Sequence, residues 1–379
     1  MNGIQHQSSV GASPPQPHPS LWRAVVTSTG QPPAWALVRY LVGGLLAGAA
    51  LGAGLPHFRA TLLAALAGAI VAASASAGPS GIARRMSVIT AGCTLALAVV
   101  GFATGNHPVW AALAMAAVAL LTSVAAAAGP LGGILGFLLS LAYLLIAGIA
   151  RTANLVALVS VPWAAAHIAV GCLAGLIVAL VGTAMRRRGE PEAVKAARAP
   201  LPVAPMLASL RTVDEHARDG IRRAIPLAIL MYFLQRSGGR DAFWTFFAAF
   251  LVLLTPGKAP ASLASIRVAS TIFGVLLLAV ASLILPHKLL FSFGVVILFT
   301  GIGLGPPYPI IGGGLTSIGS FLMAGAPTGA IGTWSTHRLL DTIIGCAIAV
   351  VANYLLWPRD TETDTPVSVP PNAPTESPG

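Results

Sequence analysis

Two glycine- and proline-rich stretches hold corresponding places in the chain: GPLGGILG at residues 129–136 and GPPYPIIGGG at residues 305–314. Each stretch opens what we interpret as the fifth apolar span in a series of six. A basic stretch rich in Pro and Ala separates the two series. This repetition predicts a duplicated membrane protein.

The composition excludes a soluble globular domain. The chain of 379 residues is 56% hydrophobic and only 9% charged, and apolar runs of about 20 residues, the length that crosses a bilayer, recur throughout. We predict an all-α polytopic membrane protein with about twelve transmembrane helices in two parallel six-helix repeats. The predicted spans are 36–54, 60–78, 86–105, 109–128, 131–150 and 162–184, then 223–237, 241–255, 267–286, 289–304, 308–324 and 338–357.

The charge distribution predicts the orientation. A net charge of +11 would indicate a nucleic-acid partner in a soluble protein, but here most Lys and Arg residues lie in the tails, the linker and the even-numbered loops. Such residues mark the cytoplasmic side of membrane proteins, so both termini are predicted to be cytoplasmic, with the lipid bilayer as partner and no nucleic acid. The expected segments are a disordered cytoplasmic N-terminus (1–35), a first repeat (36–184), a basic cytoplasmic linker (185–222), a second repeat (223–357) and a disordered cytoplasmic tail (358–379).

The sixth spans of the two halves also align. His167 precedes Gly171-Cys172 by four residues, and Asp341 precedes Gly345-Cys346 by four residues. Because each half has an even number of spans, both halves start on the same side, which predicts parallel repeats about an axis along the membrane normal. A substrate pathway between the halves is then expected.

Glycine and proline at matching positions indicate broken helices, whose unpaired backbone N–H groups can bind an anion. The alternative is a tight turn between neighbouring spans. Both interpretations stay open for the two stretches. The broken-helix candidates are Gly129, Pro130, Gly305, Pro306, Gly312 and Gly313.

Ionisable residues near the spans give the candidate site. A charged side chain in the hydrocarbon costs about 2.5–3.5 kcal/mol on insertion scales, so it is usually paired or functional. Asp341 is a candidate proton-coupling carboxylate, with Arg338 three residues earlier and His337 beside it. Arg338 would hold either Asp341 or an anionic substrate; the alternative is a purely structural pair. His167 is a candidate proton relay or a satisfied polar residue.

Two cationic residues and one aromatic residue complete the candidates. Lys258 and Arg267 flank the loop after the eighth span, where they could attract organic anions into a vestibule or simply anchor the protein. Trp244 belongs either to the substrate site or to the interfacial aromatic belt. The chain has no Walker A loop, GxSxG motif or metal-spaced His/Cys set. We therefore expect no enzyme activity, cofactor or metal.

The second half resembles the fusaric acid resistance (FUSC) family. The resemblance rests on Asp241-Ala-Phe-Trp244, Pro256-Gly257, and Arg267 with Thr271 and Gly274, and also on Arg338-Leu-Leu-Asp341-Thr342, Gly345 and Trp357-Pro358. The first half matches more weakly, through Arg85, Thr90 and Gly92.

This resemblance implies a multi-pass exporter in the bacterial inner membrane. Its substrates would be small organic anions such as aromatic carboxylic acids, and protons would drive the export. Many relatives carry a large cytoplasmic domain between their halves, which the short linker here replaces. A passive organic-anion channel and a non-transport membrane scaffold stay open, as does a homo-oligomer.

Overall fold

The computed structural model describes residues 28–191, 203–237, 239–254, 260–284, 287–325 and 331–356. Within these ranges every regular element is a helix. The first half contains α1 (Trp35–Gly52), α2 (Thr61–Ala73), α3 (Ser80–Thr104), α4 (Pro108–Ala126), α5 (Pro130–Thr152), the short α6 (Leu155–Leu158) and α7 (Val161–Arg187). The remainder contains α8 (Val203–Thr212), α9 (Glu215–Ser237), α10 (Arg240–Leu254), α11 (Pro260–Ile284), α12 (His287–Leu304), α13 (Pro309–Gly325) and α14 (Ile331–Leu356).

Eight helical stretches in the described ranges are long and apolar enough to cross a membrane. The protein is therefore a multi-pass membrane protein, although length and composition alone do not reach the predicted twelve spans. Three shorter apolar helices, Ala242–Leu254, Phe293–Leu304 and Pro309–Leu322, fall below that length. The eight are Trp35–Gly52, Phe58–Ser76, Ser80–Thr104, Pro108–Ala126, Pro130–Thr152, Val161–Arg187, Pro260–Val280 and Ser335–Leu356.

The predicted seventh span, 223–237, is only the second part of a longer helix. α9 starts at Glu215 and carries Arg218, Asp219, Arg222 and Arg223 before its apolar part. The predicted linker 185–222 is thus largely helical where it is described, because α7 extends to Arg187 and α8 lies between the halves. The predicted N-terminal segment (1–35) lies outside the described ranges except for residues 28–35, and the predicted tail (358–379) lies wholly outside them.

Both glycine-proline stretches form turns at helix starts. Gly129 has φ +88°, a left-handed conformation that glycine adopts without strain, and Pro130 is the first residue of α5. Gly305 and Pro306 lie in the turn between α12 and α13, which begins at Pro309. α5 and α13 then continue without interruption, so the geometry is that of the tight-turn alternative and not of a break within a helix.

The two halves share a set of helix contacts. In each half the first helix packs on the second and the sixth, the sixth also packs on the second and third, and the fifth packs on the third and fourth. The first helix of each half also packs on the fourth helix of the other half, as α9 on α4 and α1 on α12. The arrangement of contacts is therefore similar in the two halves.

Small residues allow the second and sixth helices of each half to approach closely. A Cβ atom on Gly171 of α7 would overlap the carbonyl oxygen of Ala64 on α2. A Cβ atom on Gly345 of α14 would likewise overlap the carbonyl oxygen of Thr245 on α10. The aligned Gly-Cys pairs of the sequence therefore lie at equivalent helix crossings.

Three hydrogen bonds each join two segments that the charge pattern places on the same side of the membrane. At the predicted cytoplasmic side, Ser80 at the start of α3 donates its backbone N–H to the Glu190 carboxylate after α7, at 3.2 Å. On the same predicted side, the backbone N–H of Thr29 donates to the carbonyl oxygen of Pro307, at 2.9 Å. On the opposite side, Arg151 of α5 donates to the carbonyl oxygen of Gln235 in α9, at 3.1 Å.

Candidate functional site

A buried polar cluster lies between α10 and α14. Thr245 donates its hydroxyl to the carboxylate of Asp341, with 3.0 Å between Oγ1 and Oδ1. The guanidinium carbon of Arg338 lies 2.9 Å from the centroid of the Trp244 ring. The exposed fractions of Arg338 and Asp341 are 4% and 8%, so the cluster brings a cation, a carboxylate, a hydroxyl and an aromatic face together away from water.

Helical spacing and one glycine build this cluster. The three-residue spacing of Arg338 and Asp341 puts both side chains on one face of α14. Gly345, one turn further along, lets that face approach the backbone of α10 at Thr245. Trp244 is in turn held by edge contacts to Phe243 and Phe247, with ring centroids 4.9 Å and 5.8 Å apart.

The aromatic face compensates part of the cost of burying the cation. A guanidinium over an indole ring gains about 0.5–2 kcal/mol, with the larger values at desolvated sites. The carboxylate of Asp341 gains from the Thr245 hydroxyl in the same way, because hydrogen bonds to charged groups contribute about 1.5–3 kcal/mol. Buried ionisable groups inside an apolar helix bundle are costly and are typical of functional sites in membrane proteins.

A second polar feature lies toward the predicted cytoplasmic ends of α10 and α11. A cavity of about 180 Å³ is lined by Arg267 and Ser270 of α11, by Leu251 and Val252 of α10, and by Pro309 and Gly313 of α13, among others. The hydroxyls of Ser270 and Thr271 donate to the carbonyl oxygen of Arg267, at 2.9 Å each. The cavity has room for several water molecules, beside a half-buried guanidinium.

α14 connects the two features. α14 packs against α11, the helix that carries Arg267, and Cys346 of α14 is buried. Asp341 precedes Cys346 by five residues, which corresponds to about 7.5 Å along a helix axis. The same five residues turn through about 140° around the axis, so α14 presents Asp341 to the cluster on one side and packs against α11, which carries Arg267, on another.

The equivalent position in the first half is fully buried. His167 of α7 is 0% exposed, and its Nδ1 lies 2.8 Å from the carbonyl oxygen of Trp163. In the described part of the chain, its Nε2 has no hydrogen-bond partner. The neighbouring residues Ala164 and Ile168 belong to an apolar core cluster formed by α2, α3, α5 and α7.

The structure groups some of the predicted residues and separates others. Trp244, Arg338 and Asp341 meet in the cluster, whereas Arg267 and Gly313 line the cavity. His337 is exposed. Gly312 packs against the end of α12, where a Cβ atom would overlap Gly305. Lys258 lies outside the described residues.

Sequence reasoning missed Thr245 and Ser270. Thr245 directly follows the predicted Trp244, and Ser270 follows Arg267 by three residues. The available signal was therefore a hydroxyl next to a candidate aromatic residue or one helical turn from a candidate charged residue. Within the described ranges, no group of three or more His, Cys, Asp or Glu side chains is arranged to hold a metal ion.

The α10–α14 cluster and the Arg267 cavity both lie in a segment of the chain that matches a known protein family. Residues 227–352 match the family model described as fusaric acid resistance protein-like. The match confirms the resemblance to this family over the segment that contains both polar features. No curated protein and no solved structure matches the chain.

Proposed function

We propose that the protein is a proton-coupled exporter of small organic anions, such as aromatic carboxylic acids, in a bacterial inner membrane. The observation that carries the proposal is the buried Arg338–Trp244 and Thr245–Asp341 cluster between apolar helices. A membrane transporter is the class that the fusaric acid resistance protein-like match suggests. The substrate class and the coupling to protons are those that the resemblance to this family implies, and the chemistry of the cluster and the cavity supports them.

In this proposal the substrate first meets the Arg267 cavity. An arginine guanidinium pairs with a carboxylate through two parallel hydrogen bonds, and the apolar walls from Leu251 and Val252 suit the hydrocarbon part of the anion. Because the cavity lies at the predicted cytoplasmic side, the substrate would bind there before it reaches the α10–α14 cluster. Gly313 allows α13 to pack against Ser270 beside it.

Asp341 supplies the coupling. A carboxylate that takes up a proton from outside loses its charge and its attraction for Arg338, which is then available to an anion. Release of that proton toward the cytoplasm restores the negative charge and repels the anion outward. Transport thereby requires a change of partner around Arg338. His167, at the matching position of the first half, is a candidate second proton site.

We further propose that the chain has twelve spans in two parallel repeats, with both termini in the cytoplasm. The shared helix contacts of the two halves support the repeat. The hydrogen bonds of Ser80 with Glu190, and of Thr29 with Pro307, support the topology, because they join ends with the same predicted side. A fluorescent or enzymatic reporter fused at Asn106 should report the periplasm, and one fused at Arg188 the cytoplasm.

Transport in proteoliposomes tests the function. Purified protein is reconstituted with a radiolabelled aromatic acid at equal concentrations on both sides, and only a pH gradient is imposed. We expect accumulation against the concentration gradient, abolished by a protonophore. Movement only down an imposed concentration gradient, with none under the pH gradient alone, would identify a passive organic-anion channel, and no movement with any acid tested would favour a scaffold.

A further inference from the structure

We propose that an anionic phospholipid binds in a cavity between the start of α3 and the end of α7. The cavity measures about 290 Å³ and is lined by Ser80, Arg84, Leu180, Thr183 and Arg187, among others. Two guanidinium groups thus border a concave space between two membrane helices. Basic pockets in this position bind the headgroups of anionic lipids.

Among the described residues, the net charge around the cavity stays positive when Glu190 is counted. Glu190 accepts hydrogen bonds from the backbone N–H and hydroxyl of Ser80 and forms an ion pair with Arg186, at 3.4 Å. The ion pairs of the described residues include neither Arg84 nor Arg187. Both of these side chains are exposed, so their guanidinium groups are accessible to a phosphodiester.

An apolar stripe continues from the cavity along α7. Leu173, Ile177 and Val181 are 56%, 49% and 54% exposed, and their four-residue spacing places them on one face of α7, next to Leu180 of the cavity lining. On α3, Val88 follows Arg84 by four residues and is 52% exposed. A phosphate held at the arginines would therefore have its acyl chains lying along this surface.

This combination distinguishes a lipid from a soluble anion. Free phosphate needs the cationic groups only, whereas the apolar stripe below them offers nothing to it. A phospholipid uses both parts at once, because its headgroup stays at the membrane surface while its chains enter the hydrocarbon. The cavity is formed by α3 and α7, which do not contribute to the Arg267 cavity or to the α10–α14 cluster.

Lipid exchange with matched variants tests this site. The full-length protein is reconstituted in nanodiscs with 5% of a fluorescent phosphatidylglycerol or a fluorescent phosphatidylcholine, and binding is followed by energy transfer from the protein. Arg84→Gln with Arg187→Gln removes the two lining charges. Arg85→Gln with Arg188→Gln removes two adjacent exposed charges that do not line the cavity.

We expect a preference of the unmodified protein for phosphatidylglycerol that falls about fivefold per lining arginine, and therefore about 25-fold in the double variant. The control variant should keep most of that preference. Equal losses in the two double variants would show only a general attraction to a basic surface and would overturn the proposed site.

Two further measurements keep the test independent of how the variants fold. A photoactivatable phosphatidylglycerol added to the unmodified protein should crosslink to peptides that contain residues 80–88 and 173–187. Crosslinks confined to other helices would contradict the proposal. Inorganic phosphate added to the protein in neutral detergent should give less than a tenth of the thermal stabilisation that phosphatidylglycerol gives; equal stabilisation by both would mean that the arginines hold an ion and not a lipid.

Discussion

The two halves of the molecule share helix contacts but differ in what they bury. The first half buries His167 on α7, where the neighbouring residues Ala164 and Ile168 belong to an apolar core cluster. The second half encloses Asp341 and Arg338 beside a group of aromatic side chains that includes Phe243 and Trp244. The same arrangement of helix contacts therefore holds different buried polar groups at matching positions of the two halves.

Removal of the buried cation should have the largest effect on stability. We expect Arg338→Ala to lower the free energy of unfolding by about 3–5 kcal/mol, because the Asp341 carboxylate then stays in the apolar interior without the cation one helical turn away. Arg236→Ala, an exposed arginine at the same predicted membrane side, should change it by less than about 0.5 kcal/mol. Thermal unfolding in detergent measures both variants. Equal effects would show that the buried cation of the second half contributes no more to stability than an exposed arginine does.

The helix-crossing glycines should have the next largest effect, and it should be similar in the two halves. We expect Gly171→Ala and Gly345→Ala each to destabilise the protein by about 1–3 kcal/mol, because the added Cβ meets a backbone oxygen and forces the helices apart. Gly92→Ala is the control, because a Cβ there meets nothing within 4 Å. It should be neutral or stabilise by up to about 1 kcal/mol. A cost at only one of the two crossings would argue against equivalent packing.

Loss of the aromatic face should have a smaller effect. We expect Trp244→Leu to cost about 0.5–2 kcal/mol of stability through the lost contact with Arg338. Trp163→Leu in the first half is the comparison, because the backbone carbonyl of Trp163 contacts His167 while its ring makes an edge contact with His57, with centroids 5.7 Å apart. Unfolding of the two variants at several salt concentrations would separate them. A larger loss for Trp163→Leu would contradict the assigned role of Trp244.

The smallest effect concerns the turn between α8 and α9. Asp214 accepts hydrogen bonds from the hydroxyl of Ser209 and the backbone N–H of Ala217, which hold the pKa of its carboxyl below the ordinary value. A lowered pKa means that the ionised carboxylate stabilises the folded turn when the pH is above the ordinary pKa of an aspartate. This stabilisation is lost as the pH falls through the lowered pKa. The protection of the Ala217 amide against hydrogen exchange, relative to its intrinsic rate at each pH, should therefore fall below about pH 4, and fall less in Ser209→Ala.

Most helices could be predicted from sequence because apolar runs report them directly. Eleven predicted spans overlap a helix whose ends mostly differ from the prediction by a few residues, although the helices over the third, ninth and last spans start earlier, at Ser80, Pro260 and Ile331. The seventh was too short, since charged residues from Glu215 to Arg223 hid the first turns of α9. A helix that continues beyond the membrane does not need an apolar face there.

The polar contacts were less predictable. The three-residue spacing of Arg338 and Asp341 indicated a shared face, but the partner helix could not be read from spacing. Thr245 reaches Asp341 only because Gly345 brings α10 against α14. The same holds for the Arg267 cavity, whose walls come from three helices that are distant in sequence. Such sites depend on packing, which a linear pattern does not contain.

The proposed proton coupling at Asp341 of the second half is tested most directly by transport in two single variants. Asp341→Asn and His167→Gln are reconstituted at equal protein density, and both pH-driven uphill transport and substrate exchange without a gradient are measured. We expect Asp341→Asn to lose uphill transport by at least about 100-fold while it retains exchange, because the amide mimics a permanently protonated carboxylate. His167→Gln should lose less than about tenfold. Undiminished uphill transport by Asp341→Asn would contradict the account.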